Sequence, residues 1–277
     1  MKEVGRIEVV ELFPELDAQL IPLLRGLTAE DWNRPAVGSW TVKDVAAHLL
    51  DTAIRRLSFD RDRLPPAPPD TPIGSYADLV GFLNDLNHVW VRSMKQMSPR
   101  LLTDFLEKTG RELSEHLATL DPSGPALFSV AWAGEETSES WFDVAREYTE
   151  RWHHQQQIRE AVGAPGITSR RLMHPVLDAF LRALPHAYRE VEAEEGTAVA
   201  VVIEGEAGGE WTLVREGSWK LYEGAHEAPR ARVRLDQDTA WRRMTKGITK
   251  EQAAERSEVT GDRGLGEPVF AMLSVMA

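Results

Sequence analysis

Apolar residues early in the chain recur every three or four positions. Val9, Val10, Leu12, Phe13, Leu16, Leu20, Leu23 and Leu24 fall on one face and predict a helix over residues 7–27. After the loop Asn33-Arg34-Pro35-Ala36-Val37-Gly38-Ser39-Trp40, the segment Thr41-Val42-Lys43-Asp44 has the form of a capping box, with Thr41 as N-cap. Behind it Val45, Ala46, Leu49, Leu50, Ala53 and Ile54 make an apolar stripe, so a second helix runs to about Phe59. The proline-rich stretch 64–73 predicts a surface loop. Helices over 76–97 and 100–120 follow, divided by Ser98-Pro99, and then a long Gly-, Pro- and Ser-rich loop over 121–139. A second box at Ser140-Trp141-Phe142-Asp143 opens a helix carrying Val144, Tyr148, Trp152, Ile158 and Val162, with Gly163 as its stop. A further helix covers roughly 169–189.

Around residue 190 the rhythm changes. Glu192, Glu194, Glu195 and Gly196 form a polar boundary, and Val199, Val201 and Ile203 then alternate at period two. The alternation returns at Trp211 and Leu213, at Trp219 and Leu221, and at Ala231, Val233 and Leu235. Gly205, Gly208, Gly209, Gly217 and Gly224 lie between these runs, at the spacing of turns joining short antiparallel strands. Helical segments are predicted near 238–246, 249–256 and 264–275, and no internal repeat is present. The chain therefore reads as a two-domain α+β protein. A bundle of about six helices occupies 1–190, and a small antiparallel-sheet α+β domain occupies 191–277.

Composition narrows the function. The 277 residues suit two domains, with apolar residues at 42% and charged residues at 27% as in a protein with a full core. A net charge of −12 argues against nucleic acid and against a membrane surface, both of which need a basic face. The N-terminal segment breaks every apolar run with an acid, so no signal peptide is expected and a cytoplasmic location is the default. The absence of cysteine removes disulfides, thiolate metal ligands and any protein-borne thiol nucleophile. Any metal is then held by His, Asp and Glu, and any sulfur chemistry comes from a small-molecule thiol.

Glu150 and His154 stand four apart on a strongly predicted helix, which places both side chains on one face about 6 Å apart along the axis. This is a common way to hold a divalent metal inside a bundle. His153 has only Thr149 four residues back, and Glu147 is the alternative carboxylate. A third ligand must come from another helix, and His48, an imidazole in an apolar stretch, is the best candidate. Two other readings stand beside these. His48 also suits a core histidine bonded to a carbonyl or hydroxyl, and Glu150 with His154 suits a solvated face salt-linked to Arg146, Arg151 and Arg159. His88, His116, His174, His186 and His226 lack a comparable partner, and no phosphate loop, HExxH or nucleophile elbow is present.

The segment Gly38-Ser39-Trp40-Thr41-Val42-Lys43-Asp44-Val45-Ala46-Ala47-His48-Leu49 resembles the first signature of the DinB/YfiT-like superfamily. That signature runs from a tryptophan and a hydroxyl residue through an acid to a histidine. Within the superfamily the chain is most similar to the mycothiol-dependent maleylpyruvate isomerase branch. The run from Glu150 through His154 to Ile158-Arg159 resembles that branch's second motif. Thr239-Ala240-Trp241 and Val259-Thr260-Gly261-Asp262 resemble its sterol-carrier-like C-terminal domain. The branch often has an acid where Gln157 stands, a departure that bears on a contact behind the ligands.

The resemblance implies a DinB-like bundle with a four-helix core, and His48, Glu150 and His154 as ligands of a divalent metal. Zinc comes first, with nickel, iron, cobalt or manganese as other ions the set suits. It further implies that a low-molecular-weight thiol such as mycothiol takes the open position and attacks a small electrophilic substrate. The reaction is then an isomerisation by addition to a conjugated double bond, or a thiol S-transfer. Arg232, Arg234 or Arg242 is expected to bind a substrate carboxylate, and a homodimer is one expectation for a bundle of this kind. Two alternatives stay open: a metal-dependent hydrolase using the same ligands, and a non-catalytic small-ligand-binding protein with a structural or vestigial metal site.

Overall fold

Among the described residues six helix starts are capped by side chains, and the first belongs to the helix that carries His48. The computed structural model describes residues 1–275. In chain order it holds β1 (Lys2–Glu3), α1 (Phe13–Gly26), β2 (Pro35–Val37), β3 (Trp40–Thr41), α2 (Val42–Arg56), α3 (Tyr76–Met94) and α4 (Pro99–Leu117). Then come α5 (Ser140–Val162), α6 (Arg170–Leu181), α7 (Leu184–Ala187), β4 (Ala198–Glu204), β5 (Gly209–Glu216), β6 (Ser218–Glu223) and β7 (Ala231–Asp236). The described chain closes with α8 (Gln237–Met244), α9 (Lys250–Glu255), β8 (Glu258–Gly261) and α10 (Arg263–Gly266).

At the start of α2 the expected capping box is present: the Thr41 hydroxyl accepts from the Asp44 N–H, and Asp44 accepts from the Thr41 N–H at 3.0 Å. Ser75 caps α3 and Ser98 caps α4 in the same manner, each accepting from the third helical N–H. No helix among the described residues is long and apolar enough to cross a membrane.

The fold is α+β, in two compact units that do not follow a single cut in the sequence. The helical unit comprises residues 9–127 and 150–167. Its core is built from Leu20, Ile21 and Leu24 of α1, Val42, Val45, Ala46, Leu49 and Leu50 of α2, Leu102 and Leu106 of α4, and Ile158 of α5. β2 and β3 form a small hairpin over Gly38-Ser39, with Val37 opposite Trp40. Gly38 has φ +54°, a conformation that glycine adopts without the Cβ clash other residues meet.

The second unit comprises residues 1–8, 128–149 and 168–275 and contains a six-stranded sheet in the order β1-β6-β5-β4-β7-β8. Here the structure departs from the expected all-antiparallel sheet. The sheet is mixed, because β7 runs parallel to β4 with Val201 opposite Val233. Alternation marks a strand without marking its direction, so an all-antiparallel sheet was the wrong extrapolation. β1 and β8 were not foreseen, being short edge strands with at most one apolar side chain each.

The cut expected at residue 190 does not match the division by contacts. α6 buries Leu172, Met173, Val176, Leu177 and Phe180 within the sheet-containing unit. Its Asp178 accepts from Trp211 Nε1 of β5 at 2.9 Å, and its His174 Nδ1 lies 2.8 Å from the Ala207 carbonyl. The change of period near 190 marks the change from helix to strand, not the limit of a core. The helix expected over 169–189 is broken into α6 and α7 because Pro185 cannot donate to the carbonyl one turn back.

Candidate metal centre

The second half of α5 is polar on nearly every side, yet it is buried. Arg151, Trp152, His153, His154, Gln155, Gln156, Ile158 and Arg159 all have little exposed surface. Two adjacent stripes explain this. Arg151, Gln155 and Arg159, each four residues from the next, face α1. Arg151 Nε donates to Asp17 Oδ1 at 2.8 Å, and Nη2 lies in ion-pair contact with the same oxygen at 2.7 Å. The Gln155 amide, oriented to satisfy both its groups, donates to the Leu16 carbonyl (3.2 Å) and accepts from the Leu20 N–H (2.9 Å). Arg159 donates to the Gln19 and Pro165 carbonyls at 3.0 and 2.8 Å. The solvated, salt-linked face weighed from the sequence is therefore not what α5 presents here: Arg151 and Arg159 are inward anchors.

The second stripe is one residue earlier on the helix, and its members are Glu150 and His154. His154 Nε2 lies 3.3 Å from Glu150 Oε2, and the two side chains meet His48 of α2. The rings of His48 and His154 are 4.8 Å apart, edge to face. One ligand atom from each of His48, Glu150 and His154 lies within 4.8 Å of the others. Trp40, presented by the β2–β3 hairpin, closes one side with its ring 5.2 Å from that of His48.

The hydrogen-bonding pattern suits a cation at the centre. His154 Nδ1 faces Gln157 Oε1 at 2.9 Å, an acceptor that suits an N–H on Nδ1, and Nε2 faces Glu150. Burial, and next the neighbouring His154, push His48 down to about 3, so its imidazole is neutral and has a lone pair to give. His48 Nδ1 is buried with no hydrogen-bond partner among the described residues. A core histidine bonded to a carbonyl or hydroxyl, the other reading of His48, would not leave that atom orphaned. Two imidazoles and one carboxylate, partly enclosed, are a donor set for a divalent ion with an open position.

His153 is buried with its ring tilted against that of His154, 4.0 Å away, but it is outside the cluster of ligand atoms. Glu147 is also outside it and contacts Arg146 at 3.3 Å. The three arginines proposed for a substrate carboxylate belong to the sheet-containing unit, where each is held by an acid. Arg232 bonds Glu210 at 2.6 Å, Arg234 bonds Glu204, and Arg242 bonds Asp238 at 2.8 Å with its guanidinium 4.7 Å over Trp241. Sequence reasoning missed Asp51 and Arg55, one and two turns beyond His48 on α2. Arg55 Nη2 lies 2.5 Å from Asp51 Oδ2, and burial pushes the Asp51 carboxyl up to about 6 despite that cation. The available signal was their placement three and seven residues after His48, on the same helix face.

A family model described as the mycothiol maleylpyruvate isomerase N-terminal domain matches residues 13–159, just over half of the chain. No curated protein matches it. Among solved structures the chain is similar to a UbiJ-SCP2 ubiquinone synthesis protein, at 16% identity over 39% of this chain and 95% of that one, with a TM-score of 0.26. It is also similar to the sterol carrier protein domain 2 of Helicoverpa armigera, at 13% identity over 37% of this chain and 80% of that one, with a TM-score of 0.24.

Proposed function

Since the chain belongs to the mycothiol maleylpyruvate isomerase N-terminal domain family, we propose that it is a divalent-metal- and thiol-dependent enzyme acting on a small conjugated electrophile, with isomerisation as its reaction. The observation that carries this reading is the convergence of His48, Glu150 and His154 within 4.8 Å, one imidazole nitrogen orphaned and another aimed at a carboxylate. When bound, a divalent ion, zinc first, supplies positive charge that holds a low-molecular-weight thiol such as mycothiol as its thiolate. The absence of cysteine supports a thiol from solution.

The chain's own residues have separate tasks. His48 and His154 donate lone pairs, and the proton on His154 Nδ1 is kept there by Gln157. Glu150 removes one unit of charge from the centre. Trp40 covers His48 and limits water on that side. Asp17 fixes the rotation of α5 through Arg151, and with it the direction of Glu150 and His154.

The test is metal analysis joined to a thiol panel. Protein prepared without chelators is expected to carry one divalent ion per chain. His48→Ala, Glu150→Gln and His154→Ala are each expected to lose it, and His153→Ala to keep it. Isomerisation of maleylpyruvate should require both the ion and mycothiol. Full turnover without thiol, or wild-type metal content in the His48→Ala variant, overturns the reading.

A further inference from the structure

An anionic substrate brought to this site by a chain of net charge −12 needs a cation that is both close and accessible. Four arginines flank the ligands on α2 and α5 within the helical unit. Arg56 has a side chain 1% exposed and pairs with Asp60 at 3.1 Å. Arg151 is 3% exposed and pairs with Asp17. Arg159 is buried, and two of its nitrogens bond main-chain carbonyls. Arg55 differs: its side chain is 25% exposed, although the Asp51 side chain that holds it is only 2% exposed.

Helix geometry puts this guanidinium beside the ligands. Residues 48 and 55 are seven apart, which returns to nearly the same direction on an α-helix. Side chains on a helix lean towards its N-terminus. The contact to Asp51, four residues back, shows that Arg55 does so, ending a single turn from the level of His48. Asp51 engages Nη2, and a guanidinium carries five N–H groups, so an edge remains for a planar two-oxygen acceptor. Anchoring one edge also lowers the entropy lost when the other binds.

From this, and resting on the thiol-dependent reading above, the geometry points to Arg55 as the residue that receives a carboxylate of the substrate, with Asp51 as its positioning residue. With its acid group gripped by Arg55, the unsaturated substrate of that reading has its double bond set towards His48, Glu150 and His154. Arg232, Arg234 and Arg242 are not needed for that role.

The experiment titrates maleate, a small unsaturated dicarboxylate, into zinc-loaded and into metal-free protein by calorimetry at low salt. Removing Arg55 alone leaves a buried carboxylate bare, so the main variant is the pair Asp51→Asn with Arg55→Gln, which keeps a hydrogen-bonded contact without charge. This pair is expected to retain one zinc per chain and a single cooperative melting transition, and to bind maleate at least ten-fold more weakly. Dimethyl maleate, which has no charge, should bind the two proteins equally. Arg55→Lys should fall between them. Unchanged maleate affinity in the paired variant overturns the inference, as does a wild-type protein that binds no maleate. Failure of the thiol-dependent reading shows separately, as absent zinc or absent thiol-dependent turnover. In that case the metal-free titration still reports whether Arg55 holds the anion.

Discussion

One methyl group at Gly110 is expected to destabilise this protein, although the same change in an ordinary helix interior stabilises by about 1 kcal/mol. Gly110 lies in α4 where the Arg151–Asp17 pair packs against it. A Cβ there would sit 2.2 Å from Asp17 Oδ2 and 2.8 Å from Arg151 Nη2. The backbone need not move, because the obstructing atoms are side-chain ends. The carboxylate must turn, however, and its other oxygen accepts from Arg151 Nε at 2.8 Å and pairs with Nη2 at 2.7 Å.

The two side chains are only 3% and 14% exposed, so the broken pair leaves a buried guanidinium uncompensated, at a cost of about 3–5 kcal/mol. Setting that against the gain in helix propensity gives a net loss of about 2–4 kcal/mol for Gly110→Ala. Urea unfolding should show it as a lower midpoint at constant slope. In an Asp17→Ala background the methyl has no carboxylate to displace, and its cost should shrink to under about 1 kcal/mol. Zinc affinity should fall along with stability in the single variant, since Arg151 adjoins Glu150. A Gly110→Ala protein as stable as the wild type would refute the reasoning.

Two further outcomes follow from the site. Gln157→Ala removes the acceptor that orients His154 and should weaken zinc binding by about 10- to 100-fold with little change in fold, measured by competition with a chelating dye. The Asp51 carboxyl, raised by burial to about 6 in the folded state, holds its proton longer there than in the unfolded chain. Its contribution to stability is thus present at low pH and lost as pH rises through about 4 to 6, by roughly 3 kcal/mol at most. Asp51→Asn should remove that part of the pH dependence, and a stability difference between the two proteins that stays constant from pH 4 to 7 would show the shift to be absent.

Much of the helical unit could be read from the chain because its signals are local. The Thr41–Asp44 box and the stripe behind it locate α2 and His48 within a residue or two, and the four-residue spacing puts Glu150 and His154 on one face. What could not be read depends on distant partners. Arg151 and Asp17 are 134 positions apart, and no local pattern distinguishes a buried anchoring arginine from a solvated one. Arg55 was overlooked for a related reason, since its value lies in being the exposed member among buried neighbours. The direction of β7 and the edge strand β8 depend on pairing, which alternation does not encode.

The one-residue offset between anchors and ligands on α5 makes this segment intolerant of gaps. Successive positions on a helix differ by about 100°. Deleting one residue between Arg151 and His154 would bring Gln155 to the place of His154, while Glu150 stayed where it was. Length variation among relatives should therefore collect in the loops on either side and leave the interval from 150 to 159 constant. The same offset limits transplantation. Copying His48, Glu150 and His154 into another bundle would carry the ligands without the clamp, and their bearing would be left to chance.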